Sequence, residues 1–411
     1  MILYQTSARV WLTLAAGSLL LPLRWRLGLW LPLHLALVGA ISVAIFGAMQ
    51  VFAVTLTATP APSARFVGLQ FLLLQVGIVA IAVGVPWPRP GLVAIGGCLL
   101  AVGALQQAWI VRDAWRKALN RRHLVPMLAY GCAVAAILVG ATFGSLMGSR
   151  AVHGAAYLDV RRAHMVVNVL GWAGLTVVGT LVTLLPTVLR VRMPSWGGRT
   201  VVVVLVSGLA AMVLGLAAGR PALAAGGGLT YAAGVGGVLF MVLAVLRIRR
   251  TYRIPLAGLH MLAAVAWFAG GVIGLDWALL HGPSGFDAYR PVFLTALAGG
   301  FLIQILLGAW AYLLPMHRPG HPDLRRRALA VFEGAAPVQV FLLNTGLVLL
   351  ALHGGGYAGS TAETVGIVLS VMGGGMALLK AWLFPLLGRA DLDTARVRDV
   401  WGPLAVGEGP P

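Results

Sequence analysis

The sequence predicts an all-α fold, a polytopic transmembrane bundle of about twelve helices, and three observations lead there. Apolar stretches run almost end to end through the 411 residues, and a bilayer core takes about 20 such residues per helix. Only 10% of residues are charged, and the mean hydropathy is +0.92. Most of those charges fall in short gaps between the stretches. A segment inside hydrocarbon must satisfy its own backbone hydrogen bonds, which at this length selects helices.

The first segment is read at 8–23. Arg9 precedes an apolar run from Val10 to Leu23, and Arg24 and Arg26 follow it. No small-x-small cleavage site precedes those arginines, so the run reads as a retained helix rather than a removed signal peptide. Further segments are predicted at 29–56, 66–86, 91–111, 125–146, 162–188, 199–219, 222–247, 256–280, 291–315, 329–353 and 361–387. Together they form one domain over 1–388, and 389–411 reads as a short disordered cytoplasmic tail.

Orientation follows from the basic loops. Arg112, Arg116, Lys117, Arg121 and Arg122 follow the fourth segment, and Arg190 and Arg192 the sixth. Arg247, Arg249, Arg250 and Arg253 follow the eighth, and Arg318, Arg325, Arg326 and Arg327 the tenth. All are cytoplasmic if both termini are cytoplasmic, with the positive loops inside; a bacterial inner membrane is the expected location. Arg24 and Arg26 then lie outside and conflict with the rule. An eleven-helix arrangement with an external N-terminus is the alternative.

The net charge of +19 does not indicate a nucleic-acid partner. Nucleic-acid binders gather Lys and Arg on a soluble face or arm, whereas here they sit in membrane loops. Lys117 and Lys380 are the only lysines, and with abundant Ala, Gly and Val this suggests a high-GC bacterial genome. Cys98 and Cys132 lie in apolar segments without CxxC spacing, so they read as small core residues.

There is an internal echo. Segment six ends in G-T-L-V-T-L-L-P (Gly179 to Pro186) and segment ten in G-A-W-A-Y-L-L-P (Gly308 to Pro315). Four helices separate them. Either this is ordinary Leu, Gly and Pro usage, or a four-helix repeat makes helices two, six and ten equivalent.

Chemistry must come from the few polar residues inside the apolar segments. His34 opens segment two in W-L-P-L-H-L-A-L, about 7 Å in from the outer boundary at about 1.5 Å per residue. Segment six opens R-R-A-H-M-V-V-N-V-L-G-W, where His164 and Asn168 are four apart and share a face. Gly171 continues that face and admits another helix or a planar cofactor. Ionisable groups at such depth are costly and are functional candidates by default. Neutral imidazole is a good ligand for haem iron and copper; interhelical hydrogen bonding is the alternative role.

Gln50, Gln70, Gln75, Gln304 and Asn344 read as glue between helices. Glu333 and Lys380 lie near the same end and either pair or reach the interface separately. Asp276 and His281 close segment nine, where His153, Asp159, Asp287 and His353 can join them as a solvated face or a metal or proton-entry site. His260, His317 and His321 read as structural or lipid-facing. No P-loop, HExxH, CxxCH or soluble GxGxxG is present.

These residues carry a resemblance. The run H34-L-A-L-V-G-A with Q50-V-F, then A-H164-M-V-V-N168-V-L-G-W, then G308-A-W-A-Y-L-L-P, resembles the membrane domain of actinobacterial copper-oxidase-type proteins. More distantly it is similar to subunit I of haem-copper oxidases and to nitric-oxide-response membrane haem proteins. The resemblance spans helices two to eleven and implies a twelve-helix, pseudo-threefold subunit I-like fold. Residue by residue it carries over His34, His164 and Asn168.

The departures narrow what it implies. Val51 stands where that pattern has a histidine after the glutamine, and Val166 replaces the second histidine of H-x-H-x-N. No histidine falls on segments seven or ten. A complete oxygen-reducing haem-copper centre is therefore not expected. The resemblance implies a reduced site binding haem, or alternatively copper, at His34 and His164, with Asn168 orienting His164 by a hydrogen bond. Such a site suits electron transfer or sensing, with a redox partner or other membrane subunits. The alternative is a non-redox transporter or accessory subunit, for which the glycine runs Gly226–Gly228 and Gly373–Gly375 would permit close packing or hinges.

Overall fold

The computed structural model describes residues 2–119, 123–192, 197–249, 253–316 and 322–384. Arg121, Arg122, Arg250, His317, Arg318, His321 and the tail 389–411 lie outside the described residues. Among the described residues there is no strand. The chain is an all-helical, multi-pass membrane protein.

Among the described residues twelve long helices appear, eleven of them long and apolar enough to cross a bilayer. We number them α1 (Ile2–Ser18), α2 (Trp30–Thr57), α3 (Ala64–Gly84), α4 (Pro90–Arg116), α5 (Leu124–Gly148), α6 (Gly154–Val188), α7 (Gly198–Ala217), α8 (Pro221–Ile248), α9 (Leu256–Leu280), α10 (Gly282–Met316), α11 (Ala336–Gly354) and α12 (Ser360–Leu383). The first is the exception. It begins six residues earlier than its apolar run suggested and has 17 residues, about 25 Å against a core of about 30 Å. Tyr4, Gln5 and Arg9 are buried in it, so tertiary partners rather than hydropathy fix where it lies.

Other boundaries moved as well. Helices α6 and α10 start about eight residues before their apolar stretches, because polar residues such as Arg161, Arg162 and Asp287 form ion pairs with one another there. The expected helix 329–353 is two pieces, Pro322–Glu333 and α11. The break follows Glu333, whose carboxylate accepts the Leu256 N–H at 2.9 Å, and Ala335 takes a left-handed conformation with φ 53°.

The helices form three units of four, α1–α4, α5–α8 and α9–α12. Within each unit the first helix packs on the second and the third on the fourth. The units join through α4–α5 and α8–α9, and α12 returns to α1, closing a ring. Arg9 seals that closure: its guanidinium donates to the Ala381 carbonyl at 2.6 Å and lies over the Trp382 ring. Helices α2, α6 and α10 meet one another at the centre. The most apolar window of α6 is accordingly 83% buried and that of α12 only 17%.

Each central helix carries a π-helical segment: Leu35–Ile41, Val167–Gly174 and Thr295–Ile303. Two glycines on each accommodate its neighbour. A side chain at Gly39 or Gly47 would strike Trp11 or Tyr4, one at Gly171 or Gly179 would strike Ala136 or Ala129, and one at Gly300 or Gly308 would strike Trp267 or His260. The contacts on α1, α5 and α9 are seven residues apart every time (11 − 4, 136 − 129, 267 − 260). Their partners on α2, α6 and α10 are eight apart every time (47 − 39, 179 − 171, 308 − 300). A π turn uses one more residue than an α turn, so eight residues keep pace with seven. The Gly179/Gly308 echo is thus a structural repeat that extends to Gly47.

Polar residues tie each unit together. In the first, Tyr4 Oη lies 3.0 Å from Gln70 Oε1, Gln70 Nε2 donates to Gln107 Oε1 at 3.2 Å, and Gln50 donates to Gln70. In the third, His260 is fully buried and bonded to Gln304 and Gln339. It is not lipid-facing. Lys380 does not meet Glu333: it donates to the Phe332 and Gly334 carbonyls and to Gln339 Oε1. Cys98 faces outward rather than into the core, and Cys132 is half-buried.

Candidate haem or metal site

His34 sits on α2 one residue before its π segment, and His164 on α6 three before its own. The two rings, from different units, face each other with centroids 6.5 Å apart and planes within 13°. Helix rotation, which the sequence leaves open, brings them together.

Each ring is fixed by its Nδ1. The His34 Nδ1 lies 2.8 Å from the Trp30 carbonyl, and the ring stacks on Trp30 at 4.1 Å. The His164 Nδ1 lies 2.9 Å from the Gly140 carbonyl. A carbonyl only accepts, so both Nδ1 atoms carry the proton and both Nε2 atoms carry the lone pair. Among the described residues neither Nε2 has a hydrogen-bond partner. Both side chains are half-buried rather than sealed.

Helix α5 supplies the floor. Its run G140-A-T-F-G144 presents two glycines to α6: a side chain at Gly144 would come within 2.9 Å of His164 Cε1, and one at Gly140 would strike the Asn168 amide. Small residues four apart are the usual device for close approach of membrane helices. Asn168 plays a different part from the one expected. Its Nδ2 is 3.3 Å from His164 Nδ1, but that nitrogen already donates to Gly140. The amide donates instead to the His164 carbonyl at 2.8 Å and braces the backbone. Gly171 contacts Ala136 and Leu209, so it serves helix packing and no planar ligand.

Arg161 and Arg162, three and two residues before His164, belong to the same region. Asp287 on α10 accepts from Arg161 at 2.8 Å and from Arg162 at 2.5 Å, and Arg162 also meets Asp159 at 2.9 Å. Arg290 approaches Asp287 at 3.3 Å. Three arginines thus share two carboxylates, and the Nε of both Arg161 and Arg162 is buried without a partner. The sequence shows the arginines beside His164 in R-R-A-H but not their pairing with Asp287.

The other candidates disperse. Asp159 and Asp287 are engaged by arginines, His353 approaches Glu363 at 3.3 Å, and His281 packs on Trp277. Among the described residues no three His, Cys, Asp or Glu side chains gather as a metal site. Gln304 and Asn344 bond each other directly, at 2.9 and 3.2 Å, rather than lining an open polar cavity. No protein-family model matches the chain, and no curated protein matches it.

The two imidazoles are the ligands this site could offer a metal ion or a haem iron. Two imidazoles bound head-on to one ion hold their ring centres about 6.3 Å apart, from metal–nitrogen bonds of about 2.0–2.1 Å and about 1.1 Å from ring centre to nitrogen. The observed ring-centre separation, 6.5 Å with near-parallel planes, is of that size. Two protein ligands leave a bare copper ion under-coordinated, whereas a porphyrin brings four nitrogens of its own and carboxylates that suit the unpaired arginine Nε atoms.

Proposed function

We propose that the chain is a bacterial cytoplasmic-membrane protein that binds one haem between His34 and His164 and serves electron transfer or sensing. The observation that carries this reading is the pair of half-buried imidazoles whose ring centres lie 6.5 Å apart on neighbouring helices, each with Nδ1 tied to a backbone carbonyl and Nε2 without a hydrogen-bond partner among the described residues. A carbonyl acceptor on one ring nitrogen fixes the tautomer and leaves the other nitrogen able to bind a metal. The ring of three four-helix units supports the likeness to subunit I of the haem-copper oxidases.

The haem would supply a reversible one-electron couple. His34 and His164 would both hold the haem iron, which suits electron transfer or sensing better than oxygen reduction. Trp30 and the Gly140–Gly144 face hold the two rings in place. Arg161 and Arg162 would offer Nε–H donors to carboxylates at the outer end, where a cytoplasmic C-terminus would put these histidines. An electron donor or acceptor would then approach from the outer side.

The test is a reduced-minus-oxidised visible spectrum of the detergent-purified protein with metal analysis of the same sample. We expect sharp haem bands at about one haem per chain, lost in His34→Ala and in His164→Ala. Unchanged haem and metal content in both variants overturns the assignment. A featureless wild-type spectrum without copper returns the chain to the transporter or accessory-subunit reading.

A further inference from the structure

A second site lies where α2, α6 and α10 meet, toward the end of the bundle away from the histidines. A cavity of about 80 Å³ is bounded by all three central helices, with contributions from α1 and α9. It begins at Ile41, seven residues beyond His34 and so about 10 Å along the helix. Alanines at 44, 48 and 309 line it and leave the space.

Its lining offers a ligand nothing polar. The Gln5 amide donates to the Ala44 carbonyl at 3.3 Å and its Oε1 accepts from Trp310 Nε1 at 2.7 Å. Thr176 donates to the Trp172 carbonyl at 2.7 Å and Thr180 to the Thr176 carbonyl at 2.9 Å. Each of these side chains donates a hydrogen bond within the protein. A water needs two to four polar partners, which this wall does not readily supply.

Size bounds the occupant. One water needs about 10–15 Å³ of such space, and a dry cavity of about 150 Å³ is known to take benzene or xenon. The geometry points to a binding site for a single compact non-polar molecule, larger than water and smaller than benzene, at the pseudo-threefold axis. This site is independent of whether the histidines hold a metal, because no residue is shared between them. Leu306 on α10 is buried at its wall.

Xenon is the probe. Crystals of the full chain pressurised with xenon should show one anomalous peak among Ala48, Thr180 and Ala309. Ala48→Phe and Ala309→Phe each fill the space and should lose the peak. The two substitutions sit on different helices, so one remains informative if the other does not fold. Leu306→Ala should enlarge the cavity until it also admits benzene. No xenon peak in wild type, a peak that survives both Phe substitutions, ordered waters in the cavity, or an elongated acyl chain entering from the bilayer overturns the proposal.

Discussion

Replacing His260 and Gln339 by leucine, singly and together, tests how the third unit is held. His260 Nδ1 lies 3.3 Å from Gln304 Oε1 and its Nε2 lies 2.8 Å from the Gln339 amide nitrogen. The Gln339 Oε1 accepts from Lys380 at 2.7 Å. His260→Leu strands the Gln339 amide, while Gln304 Oε1 keeps Asn344 as a donor at 3.2 Å. Gln339→Leu strands the His260 lone pair, while Lys380 keeps the Phe332 and Gly334 carbonyls at 3.0 and 2.6 Å.

An orphaned buried group costs about 1–3 kcal/mol, and interhelical polar contacts in membranes run at about 0.6–1.7 kcal/mol. We therefore expect about 1–2 kcal/mol from each single change. The double variant removes both orphans together, and replacing both partners by apolar groups is close to neutral. It should cost no more than either single, giving a coupling of about 1 kcal/mol or more. Denaturation by SDS, followed by tryptophan fluorescence in all four proteins, measures this. Additivity within about 0.5 kcal/mol, the behaviour of independent sites, refutes the reasoning.

Three further outcomes are expected. Gly140→Ala drives a methyl group into the Asn168 amide and should lower haem per chain several-fold, while Gly131→Ala on the same helix, which meets nothing within 4 Å, leaves it unchanged; absorbance against protein concentration decides. Arg9→Ala removes the donor to the Ala381 carbonyl and the contact with Trp382, so α12 should become protease-sensitive first and stability should fall by about 1–3 kcal/mol. Asp287→Asn leaves three arginines without their shared carboxylate and should cost about 1–3 kcal/mol, less than the 3–5 of a fully buried pair. Asp113→Asn, which breaks only the exposed pair with Lys117, should cost about 0–1 kcal/mol in the same unfolding assay.

Much of the site was legible in the sequence and its geometry was not. His34, His164 and Asn168 stood out because a polar group in hydrocarbon needs a reason. What each one bonds was hidden: Asn168 turned from the imidazole to the backbone because the Gly140 carbonyl, on another helix, had already taken the Nδ1 proton. The pairing of Arg161 and Arg162 with Asp287 joins residues about 125 positions apart, beyond any local pattern. The proline that ends the matched runs of α6 and α10 is absent from α2, which kept Gly47 out of the echo.

The sequence by itself determined the helical class and the approximate place of eleven crossings. Hydrocarbon imposes that result on any apolar run of the right length, whatever surrounds it. It also supplied the short list of polar residues able to do chemistry. Tertiary structure alone decided where α1 begins, where each central helix widens into a π turn, and which faces of α2 and α6 meet. α and π turns draw on the same residues and differ by one hydrogen-bond step, so neighbours such as Trp11, Ala136 and Trp267, not composition, set the register that turns His34 toward His164.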